Sequence, residues 1–133
     1  MQLFLTLYKT NAFSVRRLEE RLQPFGLTLG RLCLLVSLRR FEKPALPSEL
    51  GDDLAVTRAN VSGLLNALEK MGLVHREFDP EDRRRVLVHL TESGRNTLEQ
   101  AWPVYEETVM SGFQRLSEEE QATLLKLLEK IEA

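Results

Sequence analysis

The chain has a single cysteine, Cys33, among its 133 residues. A lone thiol forms no intrachain disulfide, which excludes a cystine-stapled fold and fits a reducing cytoplasm. No run approaches the ~20 apolar residues of a membrane-spanning helix. The opening stretch MQLFLTLYKTNAFSVRR is apolar after Met1, but it has no basic segment and no small-residue cleavage site. It is therefore read as a helix and not as a signal peptide. Repeats and low-complexity segments are lacking. So are a Ser-His-Asp set, a phosphate-cradling glycine loop and a carboxylate pair, which argues against catalysis. His75 and His89 stand apart from any Cys or carboxylate set at metal-ligand spacing, so neither a metal nor another cofactor is expected.

What is present suits a single domain with a real core: 43% of residues are hydrophobic and 29% charged. The formal net charge of −2 conceals a gradient. Residues 1–56 net +2, residues 57–95 net +1 and residues 96–133 net −5. The acid is concentrated in the last third, so the rest of the chain is free to present a positive face.

Hydrophobic periodicity gives a mainly α chain with one small β-hairpin. Residues 2–24 read as a helix through Leu7, Val15, Leu18 and Leu22, ended by Pro24 and Gly26. Thr28 is the N-cap of a second helix to Phe41, apolar on all sides and hence central. Pro44 and Pro47 close it and lead into a short helix over residues 48–55. Thr57 then caps a helix whose Val61, Leu64, Leu65 and Leu68 form one apolar stripe, and Gly72 ends it. The two helices around Ala55 and Val56 have the length and spacing of a helix-turn-helix. Residues 73–78 and 85–90 are β-type runs flanking the loop DPEDRR. Thr91 caps a long helix to Leu116, with Leu98, Trp102, Tyr105, Val109 and Phe113 along one side and Pro103 as a bend or irregularity. Ser117 with Glu120 is a capping box opening a last helix with Leu124, Leu128 and Ile131.

At 100° per residue, the side of the Thr57-capped helix opposite its stripe carries Ala59, Gly63, Asn66 and Lys70, flanked by Ser62. Arg58 and Asn60 lie in its first turn. Small residues allow close approach to a surface. Arg58, Asn60 and Ser62 offer groups that read base edges, while Thr57 and the first-turn N–H groups suit a phosphate and Lys70 suits the DNA backbone. A solvated polar face explains the same residues. In the hairpin, Arg83, Arg84 and Arg85 crowd together behind Asp79, Glu81 and Asp82. An arginine reaching into a narrow minor groove gains from its negative potential, and Asp82 is placed to hold Arg84 extended. On charge alone, a self-compensated solvated turn explains the loop as well.

The motifs favour the first alternative. D-R-R-R-V-L-V-H-L-T (82–91) places D-x-R ahead of V-x-L-T, L-E-K-M-G-L-V-H-R (68–76) precedes it, and P-F-G-L-T (24–28) enters the second helix. In all three the chain resembles the MarR family of bacterial regulators, from about Leu18 to the C-terminus. The resemblance implies a single winged helix-turn-helix domain, with the DNA-binding part at about 28–91 and dimerisation helices at about 1–24 and 92–133. It implies a homodimer that binds a near-palindromic double-stranded DNA operator, commonly as a repressor, and a small aromatic effector that releases it. Arg84 would be the wing-tip arginine, Asp82 its orienting partner, and Thr57, Arg58, Asn60 and Ser62 the recognition-helix contacts. Asn66, Lys70 and Arg83 complete the DNA-facing set. Two positions depart from the pattern. The first helix is short at its start, which shifts dimerisation toward the C-terminal helices, and Gly51 stands where the family tends to have alanine, at ~1 kcal/mol of helix stability.

Cys33, within L-C-L-L-V, is read as a buried structural cysteine, with thiol redox sensing as the rival. Trp102, Tyr105 and Phe113 are read as core, with an effector pocket as the rival. A winged-helix module for protein–protein contact is the remaining alternative for the whole chain.

Overall fold

The structure, a computed structural model, describes residues 1–41, 43–54 and 58–133, and of Arg58 only the backbone. The expected Thr57 cap and the turn at Ala55 and Val56 lie outside the described residues.

Helix α1 (Gln2–Leu22) runs into a short 3-10 turn over Gln23–Phe25. Gly26 ends it with φ +71°, a left-handed backbone that glycine adopts without a Cβ penalty. Helix α2 (Leu29–Arg40) starts where the Thr28 side chain accepts a hydrogen bond from the Arg31 N–H at 3.2 Å. Glu19 of α1 accepts from the Leu29 N–H at 3.1 Å and so caps the same end from outside. Leu32, Leu34, Leu35 and Leu38 of α2 are buried on several sides, which makes this helix the central element.

Helix α3 (Pro47–Leu54) is held to α2 by Asp53, which accepts from the Ser37 hydroxyl at 2.6 Å and lies 3.3 Å from Arg40. Helix α4 (Arg58–Lys70) buries Val61, Leu65 and Leu68. It closes at Gly72, φ +75°, with the Leu73 N–H donating back to the Leu68 carbonyl at 3.0 Å and the Gly72 N–H to that of Glu69 at 2.9 Å. This paired arrangement satisfies two of the end carbonyls and buries Leu73 against the helix.

Strands β1 (Val74–Phe78) and β2 (Val86–Leu90) pair antiparallel, with His75 opposite His89 and Arg76 opposite Val88. Ala45 adds a bridge to Val88, exchanging backbone hydrogen bonds of 3.1 and 2.8 Å. Helix α5 (Glu92–Phe113) runs unbroken through Pro103 and packs along α1, and α6 (Glu118–Glu132) follows the expected Ser117–Glu120 capping box. One core joins Leu18 and Leu22 of α1 to Leu50, Val88, Leu98 and Ala101, so the helices on either side of the hairpin unit share its interior.

Beyond that core the outer helices are bare. Phe113 is 46% exposed, so it is not core within one chain as expected, and Leu7 of the α1 stripe is 43% exposed. Leu3, Phe4, Tyr8 and Phe13 on α1 and Leu125, Leu127 and Ile131 on α6 are also exposed. The start of α1 and the length of α6 thus both present apolar surface to solvent.

Candidate nucleic-acid interface

The outward side of α4 is assembled by what its inward side buries. With Val61, Leu65 and Leu68 locked in the core and Leu64 half-buried, helical geometry turns Ala59, Asn60, Ser62, Gly63, Asn66 and Lys70 to the exterior, and all six are exposed. A methyl group added at Gly63 would meet nothing within 4 Å among the described residues, so the glycine is not serving packing there. Arg58 opens the helix; its side chain and Thr57 lie outside the described residues.

Asn66 and Lys70 stand differently within this set. Asn66 Oδ1 accepts a hydrogen bond from Arg76 Nη2 at 2.8 Å, so its amide is engaged by β1. The same guanidinium donates to Glu69 Oε1 through Nη2 at 2.9 Å and through Nε at 3.3 Å, and Glu69 Oε2 accepts from the Arg76 backbone N–H at 3.0 Å. Nothing in the sequence around Arg76 marks it for this contact. Seven residues separate it from Glu69, and only the reversal at Gly72 brings them together. The clamp fixes the angle between α4 and the hairpin. Its hydrogen bonds hold the Glu69 carboxyl below the ordinary glutamate value of 4.5.

Arg76→Ala is expected to lower stability only slightly, because the pair is solvent-screened. It is expected to weaken DNA binding about fivefold by loosening α4 against the hairpin. Glu69's depressed pKa means its share of stability is present above the ordinary value and lost as pH falls through the folded one. That acid-side loss should be absent from Arg76→Ala in urea titrations run between pH 3 and 6 (about the carboxylate range).

The loop between the strands is a built tip. The Asp79 N–H donates to the Arg85 carbonyl at 3.0 Å and the Arg85 N–H to that of Asp82 at 2.9 Å. Asp82 accepts from the Arg84 backbone N–H and Nε through Oδ1, both at 3.1 Å, and from Nη2 through Oδ2 at 3.3 Å. These bonds draw the Asp82 carboxyl below its ordinary range. The Arg84 side chain is nonetheless 90% exposed, so it is both held and presented. Arg85 lies 3.8 Å from Asp79. Arg83 has neither an ion pair nor a hydrogen bond among the described residues, so the three arginines are in three different states. Val88, fully buried, and the half-buried Val86 and Leu90 root the tip in the core.

The two histidines are not isolated as expected. They face each other across the strands with ring centroids 6.2 Å apart, and His89 Nε2 lies 2.7 Å from Glu77. Among the described residues no group of three or more His, Cys, Asp or Glu is arranged to hold a metal ion. Cys33 is half-buried where full burial was expected, and its burial pushes the thiol pKa up. Trp102 and Tyr105 stack at 5.0 Å, with the Arg39 guanidinium 5.2 Å over the indole; both rings are half-buried. Among the described residues no helix is long and apolar enough to cross a membrane.

A helix with a small polar outer face, followed by a hairpin presenting a braced arginine, defines a winged helix-turn-helix protein. Residues 25–85 match the model of the MarR family. The chain is 30% identical to the HTH-type transcriptional repressor YetL of Bacillus subtilis over 96% of its own length and 77% of that protein's. It superimposes with a TM-score of 0.89 on a MarR variant from E. coli solved with operator DNA, at 30% identity, covering 98% of this chain and 94% of that one. BpsR of Bordetella bronchiseptica, whose DNA binding is regulated by 6-hydroxynicotinic acid, gives 0.86 at 27% identity over the whole of both chains. The chain belongs to the MarR family, and it is a DNA-binding transcription regulator of that type.

Proposed function

We propose that two copies of this chain repress transcription by binding a near-palindromic operator and release it when a small aromatic effector binds. The observation that carries the DNA half is the exposed side of α4 beside a tip on which Asp82 holds Arg84 outward. Arg58, Asn60 and Ser62 would read base edges in the major groove, Thr57, Lys70 and Arg83 would hold phosphates, and Arg84 would enter the flanking minor groove. Asn66 would act through Arg76. The dimer is supported by the exposed apolar residues of α1, α5 and α6, which one chain leaves in water. Two-fold symmetry would then set the recognition helices ~34–36 Å apart, one turn of DNA.

The effector reading rests on the Arg39–Trp102–Tyr105 stack, a cation and two rings suited to an aromatic acid, and on the regulated relative BpsR. An effector weakens binding only by its differential affinity for a spacing that does not fit the operator. The half-buried Cys33, with its thiol pKa raised, supports no redox switch.

The test is binding to fragments from the gene's own upstream region, read by fluorescence anisotropy against salt. Affinity should fall steeply with salt, and sedimentation of the bound species should give two chains per site. Salt-independent binding, or none to any such fragment, would favour a protein-interaction module instead.

A further inference from the structure

The hairpin has two faces. Val74, Arg76 and Phe78 alternate onto one of them, together with Val86 and Val88 from the paired strand. At the root, Val74 and Val88 are buried; one step out, Arg76 reaches across to α4. One step further Phe78 stands 70% exposed, on the side of the wing that looks toward the recognition helix. Nothing among the described residues covers it. With Asp79, Pro80 and Arg83 it lines an open concavity at the base of the tip.

The charges there are not balanced by one another. Asp79 is occupied, accepting from the Glu81 N–H at 2.9 Å and lying beside Arg85, whereas Arg83 carries no hydrogen bond or ion pair among the described residues. The concavity therefore offers an aromatic ring and a proline beside an available guanidinium. Glu81, exposed on the same loop, is the opposing charge that any anion placed there must avoid.

We propose that this concavity seats one sugar–phosphate unit of the operator: the phosphate on Arg83, the apolar face of the deoxyribose on Phe78 and Pro80. The inference rests on the DNA-binding reading above and extends it. A recognition helix in the major groove and a wing in the adjacent minor groove are separated by a single backbone strand. That strand must cross the protein between α4 and the wing tip, where Phe78 stands. The contact is independent of base identity, so it sets affinity and register and leaves sequence preference to other residues.

The experiment uses the full chain and an upstream operator fragment, with affinity measured at several KCl concentrations. Phe78→Ala should bind roughly tenfold more weakly, the scale of a partly buried ring, equally on A·T-rich and G·C-rich flanks. Its salt slope and melting temperature should be unchanged, and Phe78→Leu should recover part of the loss. Arg83→Ala should reduce the salt slope by about one, as for a single lost phosphate contact. Wild-type affinity in Phe78→Ala, or an unchanged slope in Arg83→Ala, would overturn the seat. If the unmodified protein binds DNA and Arg84→Ala weakens it while Phe78→Ala does not, only this inference fails. If the unmodified protein shows no salt-dependent binding, the DNA reading fails and the seat with it.

Discussion

Alanine at Gly94 is expected to lower the unfolding free energy by about 3 kcal/mol, the range of overpacking that the surroundings cannot relieve. The reason is proximity. Gly94 lies in the first turn of α5 with ordinary helical backbone, but a Cβ there would sit 2.1 Å from the Leu73 carbonyl oxygen and 2.7 Å from Leu90 Cδ1. The leucine methyl could move; the carbonyl cannot move freely. It accepts the Thr91 N–H at 3.1 Å and belongs to the residue that closes α4. Relieving the clash means separating α5 from the end of the recognition helix. Gly63→Ala provides the contrast, since its methyl meets nothing and replaces glycine within a helix. It should gain up to ~1 kcal/mol. Urea denaturation midpoints of the two variants should therefore move in opposite directions, and equal shifts would show that Gly94 is not sterically required.

Arg84→Ala is expected to cost about 2 kcal/mol of operator affinity, roughly thirtyfold, and to erase any preference for A·T-rich flanking sequence. Because the side chain is 90% exposed, its pair with Asp82 contributes little to folding, and melting should be nearly unaffected. The brace instead limits where the guanidinium can go before DNA arrives. Asp82→Asn keeps a hydrogen-bond acceptor and loses the charge, so it should fall between the parent and Arg84→Ala. The Asp82 carboxyl is depressed by its bonds to Arg84, so it stays ionised at neutral pH and protonates only as pH falls through a value below the ordinary 3.8. The Asp82–Arg84 brace should accordingly be independent of pH across the neutral range. Arg85→Ala should have a smaller effect, because that residue enters the strand and lies by Asp79. Competition assays against A·T-rich and G·C-rich flanks would decide it; an unchanged preference in Arg84→Ala assigns the minor-groove role to a different arginine.

Features set by neighbours in sequence were legible before the fold was known. The Thr28, Thr91 and Ser117–Glu120 caps depend on side chains reaching N–H groups two or three residues on, and each is present. The α4 stripe and the Asp82–Arg84 contact are equally local. Other features depend on what the turns bring together. Arg76 meets Asn66 and Glu69 only after Gly72 reverses the chain, and Gly94 is constrained by a carbonyl 21 positions before it. The pairing of His75 with His89 follows from strand register and is invisible to ligand spacing. Leu7 and Phe113 fit apolar stripes yet are exposed, because periodicity marks a face that wants cover without saying which molecule supplies it.

The joint at Thr91 has a mechanical side. Its hydroxyl donates to the Gly72 carbonyl at 2.7 Å and accepts the Gly94 N–H at 3.0 Å, while its N–H donates to Leu73. The last residues of the recognition-helix turn and the first of α5 are thus pinned at one point, with no space even for a methyl group. α5 extends 22 residues from that pin, a lever of about 33 Å. Roughly 3 Å of displacement at its far end corresponds to about 5° of rotation at the near end. Pro103, which lacks one rung of the helix ladder, sits midway and is the natural place for compliance. Stiffness between Glu92 and Pro103 therefore determines how much of any movement among the outer helices arrives at α4 as a change of angle.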